Sequence, residues 1–516
     1  MRYHSTRGKE KDYSAKEAIL MGLCPDGGLF VSDALPDVKL DMKKLLSNEA
    51  EYNTILYAVF SALLPDFTKE ELDSCIRTAY AGKFETDLLT PVTKIGEDRL
   101  LELYHGPTAA FKDMALCMLP KLMGCALAEK KERVMIVTAT SGDTGKAALS
   151  GFQDAPGIGI AVFYPDQKVS DIQYLQMATQ EGNNVSVCAV RGNFDDCQSG
   201  VKALFGGEAA TKLKEEGISL SSANSINVGR LVPQIVYYID AYRQLVQAGE
   251  VNFGEAVDFC VPTGNFGDVL AGYYAKMMGL PVGRLIVASN ENNVLTDFLE
   301  TGIYNRNRPF VKTISPSMDI LISSNLERML YYMSGMDTVL VKGLMQSLAE
   351  TGCFAVDTAL LAKIQETFSC GYADNAASKE AIRTAYETTG RLIDPHTAVA
   401  WRVLQDLKMD ENSPLSCHRQ KNHPTPAVIL STASPYKFAK DVYESLTGNT
   451  LPDGADGFAY MDALHQKTDV PVPVSLASLK GKPILHRDVI NADEMPAYVI
   501  KEAQKDLEES GEVQHA

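Results

Sequence analysis

Several features that mark specialised protein classes are missing from this chain of 516 residues. Its ten cysteines include no C-x-x-C pair, and neither they nor the eight histidines show the spacing of a zinc site. We therefore expect no metal, and free, mostly buried thiols in a reducing compartment. No apolar run reaches membrane-spanning length, and the N-terminal MRYHSTRGKEKDYS lacks the apolar segment of a secretory signal. The expected location is the cytoplasm.

The chain also lacks an excess of positive charge. Its 49 lysines and arginines stand against 66 acidic residues, which gives a formal net charge of −17. Nucleic acids and anionic membranes bind basic surfaces, so neither is an expected partner. A small anionic substrate is compatible with this charge, because one local group of hydrogen-bond donors can hold it.

The order of apolar segments predicts an α/β protein with two or three domains. The first ninety or so residues carry apolar side chains at helical spacing, as in EYNTILYAVFSALL. From about residue 95, short β-branched runs alternate with helical stretches, for example RVMIVTA before GKAALSGF. This alternation is typical of parallel sheets with helices on their faces, and uninterrupted apolar runs suit strands buried on both sides.

Two glycine-bearing loops follow predicted strands, which is where open α/β sheets bind ligands. TSGDTGKAA spans residues 140–148 and TGNFGD spans residues 263–268. Free backbone N–H groups at a helix N-terminus favour a phosphate or a carboxylate. Neither loop has the G-x-G-x-x-G pattern, and Thr140 stands where a P-loop needs glycine, which argues against a nucleotide-binding dehydrogenase. The alternative is that these glycines only permit tight strand-to-helix turns.

One lysine occupies an unusual position in the segment HGPTAAFKD. Lys112 follows a phenylalanine and a run of small residues, which fits neither a polar surface nor an apolar core. Pyridoxal 5′-phosphate needs a lysine for its aldehyde and an anion site for its phosphate. In a partly desolvated pocket Lys112 would have a lowered pKa and a neutral amine. Thr432, at the end of the predicted strand AVILST, could donate a hydrogen bond to the pyridine nitrogen.

Seven motifs, in the right order, resemble the threonine synthase family of fold-type II pyridoxal-phosphate enzymes. The matching segments are YHSTRG at 3–8, PDGGLF at 25–30, HGPTAAFKD at 105–113, TSGDTG at 140–145, ANSIN at 223–227, TGNFGD at 263–268 and DPHTAVA at 394–400. The resemblance implies a tryptophan synthase β-like α/β fold, with two parallel-sheet α/β domains and an N-terminal, mainly helical domain.

The resemblance also implies a domain organisation. The expected parts are an N-terminal threonine synthase domain over 1–92, a catalytic core over 93–450 and a C-terminal tail over 451–516. A small α/β domain at about 130–230 would be nested within the core.

Individual residues acquire roles from the same resemblance. Lys112 would hold the cofactor and act as the main acid–base group. The residues implied in cofactor binding are Lys112, Asp143, Gly264, Asn265, Phe266, Gly267, Asp268 and Thr432. Those implied in binding the substrate's carboxylate or phosphate are Thr140, Ser141, Thr144, Asn224, Ser225 and Arg230. No catalytic role is expected for His105, Asp113 or His396.

The implied reaction converts O-phospho-L-homoserine and water into L-threonine and phosphate, a carbon–oxygen lyase step of threonine and amino-acid biosynthesis. The sequence departs from the family where STASPYKF replaces the usual TAHPAKF, so that Ser434 stands for a histidine and Tyr436 for an alanine, and where NSINVGR replaces the common NSINWAR. A related phospho-lyase that releases a keto acid is the alternative, and a non-catalytic protein that binds a phosphorylated ligand is a less favoured one. The expected partner is the small-molecule substrate, and the expected state is a monomer or a homodimer.

Overall fold

Strands and helices alternate along most of the chain in the computed structural model, which describes residues 1–47, 49–128, 130, 132–140, 142–166, 169–192, 194–415 and 426–512. The strands are β1 (Tyr3–Ser5), β2 (Gly8–Tyr13), β3 (Phe30–Val31), β4 (Val92–Ile95), β5 (Asp98–Glu102), β6 (Arg133–Ala139), β7 (Ile158–Pro165), β8 (Val185–Arg191), β9 (Ile218–Ser221), β10 (Val257–Pro262), β11 (Val282–Ser289), β12 (Ile303–Asn305), β13 (Cys353–Ala355), β14 (Phe368–Tyr372), β15 (Val428–Ser431) and β16 (Asp488–Asn491).

Helices connect most of these strands. They are α1 (Ala15–Met21), α2 (Met42–Leu45), α3 (Tyr52–Leu63), α4 (Lys69–Ala79), α5 (Lys112–Leu116), α6 (Leu119–Ala128), α7 (Asp143–Phe152), α8 (Asp171–Ala178), α9 (Phe194–Gly206), α10 (Glu208–Glu215), α11 (Val228–Gln247), α12 (Gly267–Met277), α13 (Val294–Thr301), α14 (Leu326–Met333), α15 (Thr338–Thr351), α16 (Thr358–Thr367), α17 (Asn375–Thr389), α18 (Pro395–Met409), α19 (Ala439–Thr447), α20 (Gly457–Thr468), α21 (Val474–Ala477) and α22 (Met495–Glu512). Within the described residues, no helix has both the length and the apolar character needed to cross a membrane.

Two parallel sheets form the centre of the fold. The larger sheet has the strand order β14-β11-β10-β15-β5-β4 and is parallel except for the edge pair β4–β5. The smaller sheet has the order β16-β8-β7-β6-β9, and all its pairs are parallel. Strands β7 and β10 are buried along their whole length, which explains their uninterrupted apolar sequence. The prediction of two parallel-sheet α/β domains is confirmed.

The N-terminal region combines α1–α4 with a small antiparallel sheet of order β2-β1-β3. Capping boxes begin α1 and α4, formed by Ser14 with Glu17 and by Thr68 with Glu71. The mainly helical character was predicted, but the small sheet was not. Strand β2, GKEKDY, exposes the charged run between its ends, so it gives no apolar strand signal.

The C-terminal tail was expected over 451–516, and its described residues, 451–512, are joined to the rest of the fold. Strand β16 extends the smaller sheet beside β8. Met495, Val499 and Ala503 of α22 are buried in the apolar cluster on one face of that sheet. The polar composition of α22 concealed this contact, because the helix buries only one narrow stripe of side chains.

Adjacent strands of the larger sheet bring three loops together. Because β15 lies between β10 and β5, the segments that follow these strands meet at the carboxyl edge of the sheet. The segment after β10 leads into α12, the segment after β15 leads into the 3-10 helix Pro435–Phe438, and the segment after β5 leads into α5. Helix α7 of the smaller sheet packs against α5. The topology therefore places the two glycine loops, Thr432 and Lys112 at one end of the two sheets.

Candidate active site

Lys112 is the first residue of α5 and is held by the end of β15. The backbone N–H of Phe111 donates to the carbonyl oxygen of Thr432 at 2.8 Å, and Ser434 N–H donates to the carbonyl of Ala109 at 3.1 Å. Ala109 adopts a left-handed conformation with φ 56° in this buried turn. The small residues before Lys112 thus permit a sharp turn that directs the lysine into the space between the sheets.

The ammonium group of Lys112 lies in a polar but sheltered environment. Its side chain is 10% exposed, and Nζ is 3.7 Å from Asp143 Oδ2. Nζ also donates a hydrogen bond to Ser317 Oγ at 3.1 Å. Burial lowers the pKa of Lys112 to about 8, although the Asp143 carboxylate opposes that shift. A substantial fraction of this amine is therefore neutral near physiological pH.

The Asp143 carboxylate begins α7 and is shared among four side chains. Oδ1 lies 2.6 Å from Lys437 Nζ and accepts a hydrogen bond from Gln173 Nε2 at 3.0 Å. Oδ2 accepts from Ser317 Oγ at 3.2 Å and faces Lys112. Burial opposes ionisation, but the charges of Lys437 and Lys112 outweigh it and hold the pKa of Asp143 far below its usual range. Asp143 is therefore a permanent anion beside the Lys112 amine.

A buried histidine holds the backbone of Ser317 through a hydrogen bond. His396 Nε2 accepts a hydrogen bond from Ser317 N–H at 3.1 Å, so Nδ1 carries the ring proton and donates to Asp394 Oδ1 at 2.7 Å. Asp394 is the N-cap of α18, and Pro395 is the first residue of that helix. This geometry gives His396 a structural role.

The loop after β10 is shaped to receive an anion. A Cβ at Gly264 would lie 2.9 Å from the carbonyl oxygen of Ser317, so the close approach of these two backbones requires glycine. Phe266 has a left-handed φ of 60° at the N-cap of α12. The backbone N–H groups of Asn265, Phe266 and Gly267 have no hydrogen-bond acceptor within the described part of the chain. These donors and the helix dipole suit a phosphate.

Asp268 follows this loop but its side chain turns away from it. Its Oδ1 accepts hydrogen bonds from Tyr237 at 2.5 Å and from Tyr238 at 3.0 Å, both on α11. Oδ2 is buried with no hydrogen-bond partner among the described residues. Burial raises the pKa of Asp268 from 3.8 to about 7. Any contact of Asp268 with an anion would therefore be through its backbone.

The variant Asp268→Asn tests this burial. The folded protein keeps a proton on Asp268 up to about pH 7, whereas the unfolded chain loses it near 3.8, so this residue makes stability fall as pH rises between those values. We expect the Tm of cofactor-free D268N, relative to the parent protein, to be higher at pH 8 than at pH 5. Thermal unfolding at both pH values measures the difference. The exposed Asp73→Asn on α4 is the control, and parallel Tm–pH curves for D268N and its parent would contradict the expectation.

A buried arginine marks the place predicted for the substrate's phosphate. Arg230, in the first turn of α11, is 2% exposed and donates from Nη1 to the Ala223 carbonyl at 3.0 Å. Its Nε and Asn224 Oδ1 are buried without a hydrogen-bond partner among the described residues. Burial lowers the pKa of Arg230 to about 10. A buried cation with an unused N–H is costly in isolation, and a bound anion would satisfy it.

Hydrogen bonds link this arginine's loop to the glycine loop after β10. Asn325 Nδ2 donates to Ser225 Oγ at 3.3 Å and to the Asn265 carbonyl at 3.0 Å. Arg328, which is fully buried, donates to Asn325 Oδ1 at 2.6 Å and to the Ile226 carbonyl at 2.7 Å. The two predicted anion sites are therefore neighbours held by one network.

The residues of the TSGDTG loop that were predicted to bind the substrate differ in their surroundings. Thr140 is buried, and its hydroxyl oxygen accepts from the N–H groups of Gly142 and Gly145, each at 2.9 Å. This oxygen thus provides the acceptor for two backbone N–H groups at the start of α7. Thr144 is half-buried in the first turn of that helix, whereas Ser141 lies outside the described residues. Substrate contacts by these three residues stay a prediction.

Thr432 lies directly after β15 and is buried beside the lysine loop. In the departing segment, Ser434 Oγ accepts from Tyr436 N–H at 3.3 Å, which caps the 3-10 helix Pro435–Phe438. The Tyr436 hydroxyl donates to the Val470 carbonyl. Both replaced residues are therefore engaged in local structure, and the predicted contact of Thr432 with a pyridine nitrogen stays a prediction.

Several residues of this site were missed by sequence reasoning. Ser317, Gln173 and Lys437 all contact Asp143, but none lies in a loop singled out for its glycines. Lys437 stands in the quoted segment STASPYKF, yet a single lysine there gives no sign that it is buried. The positions of Lys112 and Ser317 are 205 residues apart, and only the fold brings them together.

The side chains present fit a cofactor that carries an aldehyde and a phosphate. Lys112 supplies a sheltered amine of lowered pKa. The Gly264 turn supplies unused backbone donors in a space that a side chain at that position would fill. Pyridoxal 5′-phosphate meets both requirements.

Comparison with known families agrees with this geometry. Residues 2–80 match the family model described as threonine synthase N terminus, and residues 100–415 match that of the pyridoxal-phosphate dependent enzymes. The crystal structure of PLP-bound threonine synthase from Brucella melitensis is 34% identical and superimposes with a TM-score of 0.83, covering 98% of this chain and 99% of that one.

The curated relatives include proteins named threonine synthase and proteins named threonine synthase-like 1. Threonine synthase of Pseudomonas aeruginosa is 36% identical over 87% of this chain and 91% of its own length. Human threonine synthase-like 1 is 39% identical over 88% of this chain, which spans only 61% of that relative. The predicted fold type and the predicted cofactor, pyridoxal 5′-phosphate, are confirmed. The chain belongs to the threonine synthase family of pyridoxal-phosphate dependent enzymes.

Proposed function

We propose that this chain is a threonine synthase, which converts O-phospho-L-homoserine and water into L-threonine and phosphate. The observation that carries the proposal is the buried guanidinium of Arg230, whose Nε has no hydrogen-bond partner among the described residues. The segment that precedes Arg230 is linked through Asn325 to the glycine loop, and the charge of Arg230 acts on the Lys112 amine. A phosphorylated amino acid has both groups that such a site would recognise, an amine for the cofactor aldehyde and a phosphate for the arginine.

In this proposal the cofactor is held at three points. Lys112 would bind its aldehyde, the N–H groups after Gly264 its phosphate, and Thr432 its pyridine nitrogen. When bound, pyridoxal phosphate supplies an electron sink that stabilises negative charge at the substrate's α-carbon. Asp143 would lie close to the reacting end of the cofactor, because its Oδ2 faces Lys112 Nζ.

Lys112 would carry the protons of the reaction on Nζ. With a pKa of about 8, this amine can accept a proton from the α-carbon and return it at neutral pH. The same group can serve the β-carbon, where the loss of a proton precedes departure of the γ-phosphate. Ser317 Oγ orients Lys112 Nζ. The Asp143 carboxylate stabilises the protonated form of Lys112 and itself stays ionised.

The substrate's phosphate would be bound by Arg230 with Asn224 and Ser225. Arg230 presents a planar fork of donors that suits a phosphate, and its burial makes each hydrogen bond to an anion stronger than in water. Because the phosphate is also the leaving group, this cluster would stabilise the charge that develops as the carbon–oxygen bond breaks.

A second candidate function is that of a phospho-lyase that eliminates phosphate and releases a keto acid. The observation in its favour is the similarity to relatives named threonine synthase-like 1, at 37–39% identity against 35–36% for the threonine synthases. A second observation in its favour is that the STASPYKF segment, which contains Thr432, departs from the family's usual TAHPAKF. A non-catalytic protein that binds a phosphorylated ligand ranks below both, because Lys112 and its partners are intact.

One assay separates these functions. Purified protein loaded with pyridoxal phosphate is incubated with O-phosphohomoserine, and phosphate, threonine and keto acid are each quantified. We expect phosphate and threonine in equal amounts, since water replaces each phosphate that leaves. Phosphate accompanied by keto acid would replace the proposal with the phospho-lyase, and a protein that releases no phosphate would replace it with a binding function.

A further inference from the structure

Lys437 is a second buried lysine beside Lys112, and no role described so far uses it. It lies on the 3-10 helix Pro435–Phe438, and its side chain is 0% exposed. Nζ is 2.6 Å from Asp143 Oδ1 and donates to the Thr108 carbonyl at 3.0 Å. A fully buried ammonium is stable only with such partners, so this pair is a fixed part of the fold.

The two lysines compete for one carboxylate on unequal terms. Lys437 holds Oδ1 of Asp143 at 2.6 Å, whereas Lys112 is 3.7 Å from Oδ2 and gives its hydrogen bond to Ser317 instead. The negative charge of Asp143 is therefore largely engaged before Lys112 reaches it.

We propose that Lys437 is a positioning residue that acts on Lys112 through Asp143: it occupies the carboxylate, so that Lys112 is not held as a permanent ion-pair partner and stays available as a neutral amine. The proposal rests on the role proposed above for Lys112, and it adds the residue that keeps that amine reactive.

The charged groups around Lys112 support this reading of the geometry. Asp143 on α7 favours the ammonium form of Lys112, and Lys437 and Arg230 disfavour it. His396 faces Asp143 from α18, but its Nε2 is engaged by Ser317 N–H. Removing the charge of Lys437 would therefore both free Asp143 to pair with Lys112 and remove a repulsion, and the two changes act in the same direction.

Lys437 also contacts the loop that carries Lys112. The Thr108 carbonyl accepts from Lys437, while Thr108 N–H and Oγ1 donate to Asp113 at 2.8 and 2.6 Å. A loss of loop geometry must therefore be distinguished from a loss of charge. Lys437→Arg keeps the charge, and Lys437→Met removes it at similar length.

The test is competitive acetylation of cofactor-free protein with trace acetic anhydride across a pH series, with the Lys112 peptide quantified by mass spectrometry. The parent protein should show half-maximal reactivity near pH 8. We expect K437M to move that midpoint up by about one to two pH units, as an opposite charge within pairing distance does. In K437R the midpoint should move by less than half of that amount. Lys440 is an exposed lysine on α19, and Lys440→Met should leave the midpoint unchanged.

A double-mutant comparison tests whether the effect passes through Asp143. Asp143→Asn should lower the midpoint, because the attraction is lost while the repulsion by Lys437 stays. Adding K437M to D143N should then shift the midpoint by less than half as much as K437M does alone. An unchanged midpoint in K437M, or an equal shift in both backgrounds, would overturn the proposal. Should K437M fail to fold, a midpoint in D143N at or above that of the parent would overturn it.

These outcomes are separate from those of the proposed function. The acetylation midpoint reports the Lys112 amine itself and needs neither cofactor nor substrate. A phospho-lyase product would overturn the proposed reaction and leave the role of Lys437 in place. An unshifted acetylation midpoint in K437M would overturn the role of Lys437 and leave the proposed reaction in place.

Discussion

Lys112→Ala is expected to lower kcat by roughly 10²- to 10⁴-fold, the range lost when a positioned acid–base group is removed. The physical reason is that the Lys112 amine, which donates to Ser317 Oγ and faces Asp143 Oδ2, would both hold the cofactor and transfer the protons of the reaction. The measurement is steady-state formation of threonine and phosphate, together with borohydride reduction of the loaded protein and peptide mapping. We expect the reduced cofactor on the Lys112 peptide of the parent and its absence in K112A.

The exposed Lys43→Ala on α2 is the matched control, and it should keep both the activity and the label. K112A that still forms threonine at the parent rate and keeps the visible absorbance of the bound cofactor would refute the assignment. A label found on another lysine of the active parent would refute it as well.

Arg230→Met is expected to separate activity from stability. Activity should fall because the substrate's phosphate loses its buried guanidinium: kcat/KM for O-phosphohomoserine should drop by about 10²-fold, from the loss of charge-assisted hydrogen bonds of about 1.5–3 kcal/mol each. In the ligand-free protein, however, Arg230 is a buried cation whose Nε is unsatisfied among the described residues. Replacing it with an apolar side chain of similar length should leave Tm equal or higher.

Arg243 on the same helix, α11, provides the opposite case. It is paired with Asp240 through Nε at 2.9 Å and Nη2 at 2.6 Å, and it also donates to the Ala50 carbonyl. Arg243→Met leaves Asp240 buried without its cation, so it should cost about 3–5 kcal/mol and lower Tm, with little effect on kcat/KM. Thermal unfolding of both variants without ligand, and steady-state kinetics at permissive temperature, make the comparison. A lower Tm in R230M than in R243M, or an unchanged kcat/KM in R230M, would contradict the proposed phosphate site.

The strands and the two glycine loops were predictable because their signals are local. Apolar runs such as VDFCVP mark buried strands, and TGNFGD marks the turn into a helix wherever the strand lies in the sheet. The N-cap at Asp394 is an equally local feature, since a capping residue and a proline at the next position act within one turn. The contribution of β16 to the smaller sheet was not, because a short exposed strand looks like a polar tail.

The orientation of individual side chains was less predictable than their position. Asp268 sits in the predicted loop, yet its carboxylate points to Tyr237 and Tyr238, which lie about thirty residues away in sequence. Thr140 sits in the predicted substrate loop, yet its hydroxyl oxygen is used to begin α7. In both cases a buried polar atom had to find a partner, and the nearest one was supplied by packing.

The sequence by itself determined the order of strands and helices, the turns that end them, and the presence of a lone lysine among small residues, because each of these depends on neighbours within a few positions. Only the tertiary structure decided that Lys112, Asp143, Ser317 and Lys437 share one charge cluster. The larger sheet inserts β15 between β10 and β5, and that strand order cannot be inferred from local pattern. Burial then decides the chemistry, since it is the removal of water that lowers the pKa of one lysine while an ion pair stabilises the other.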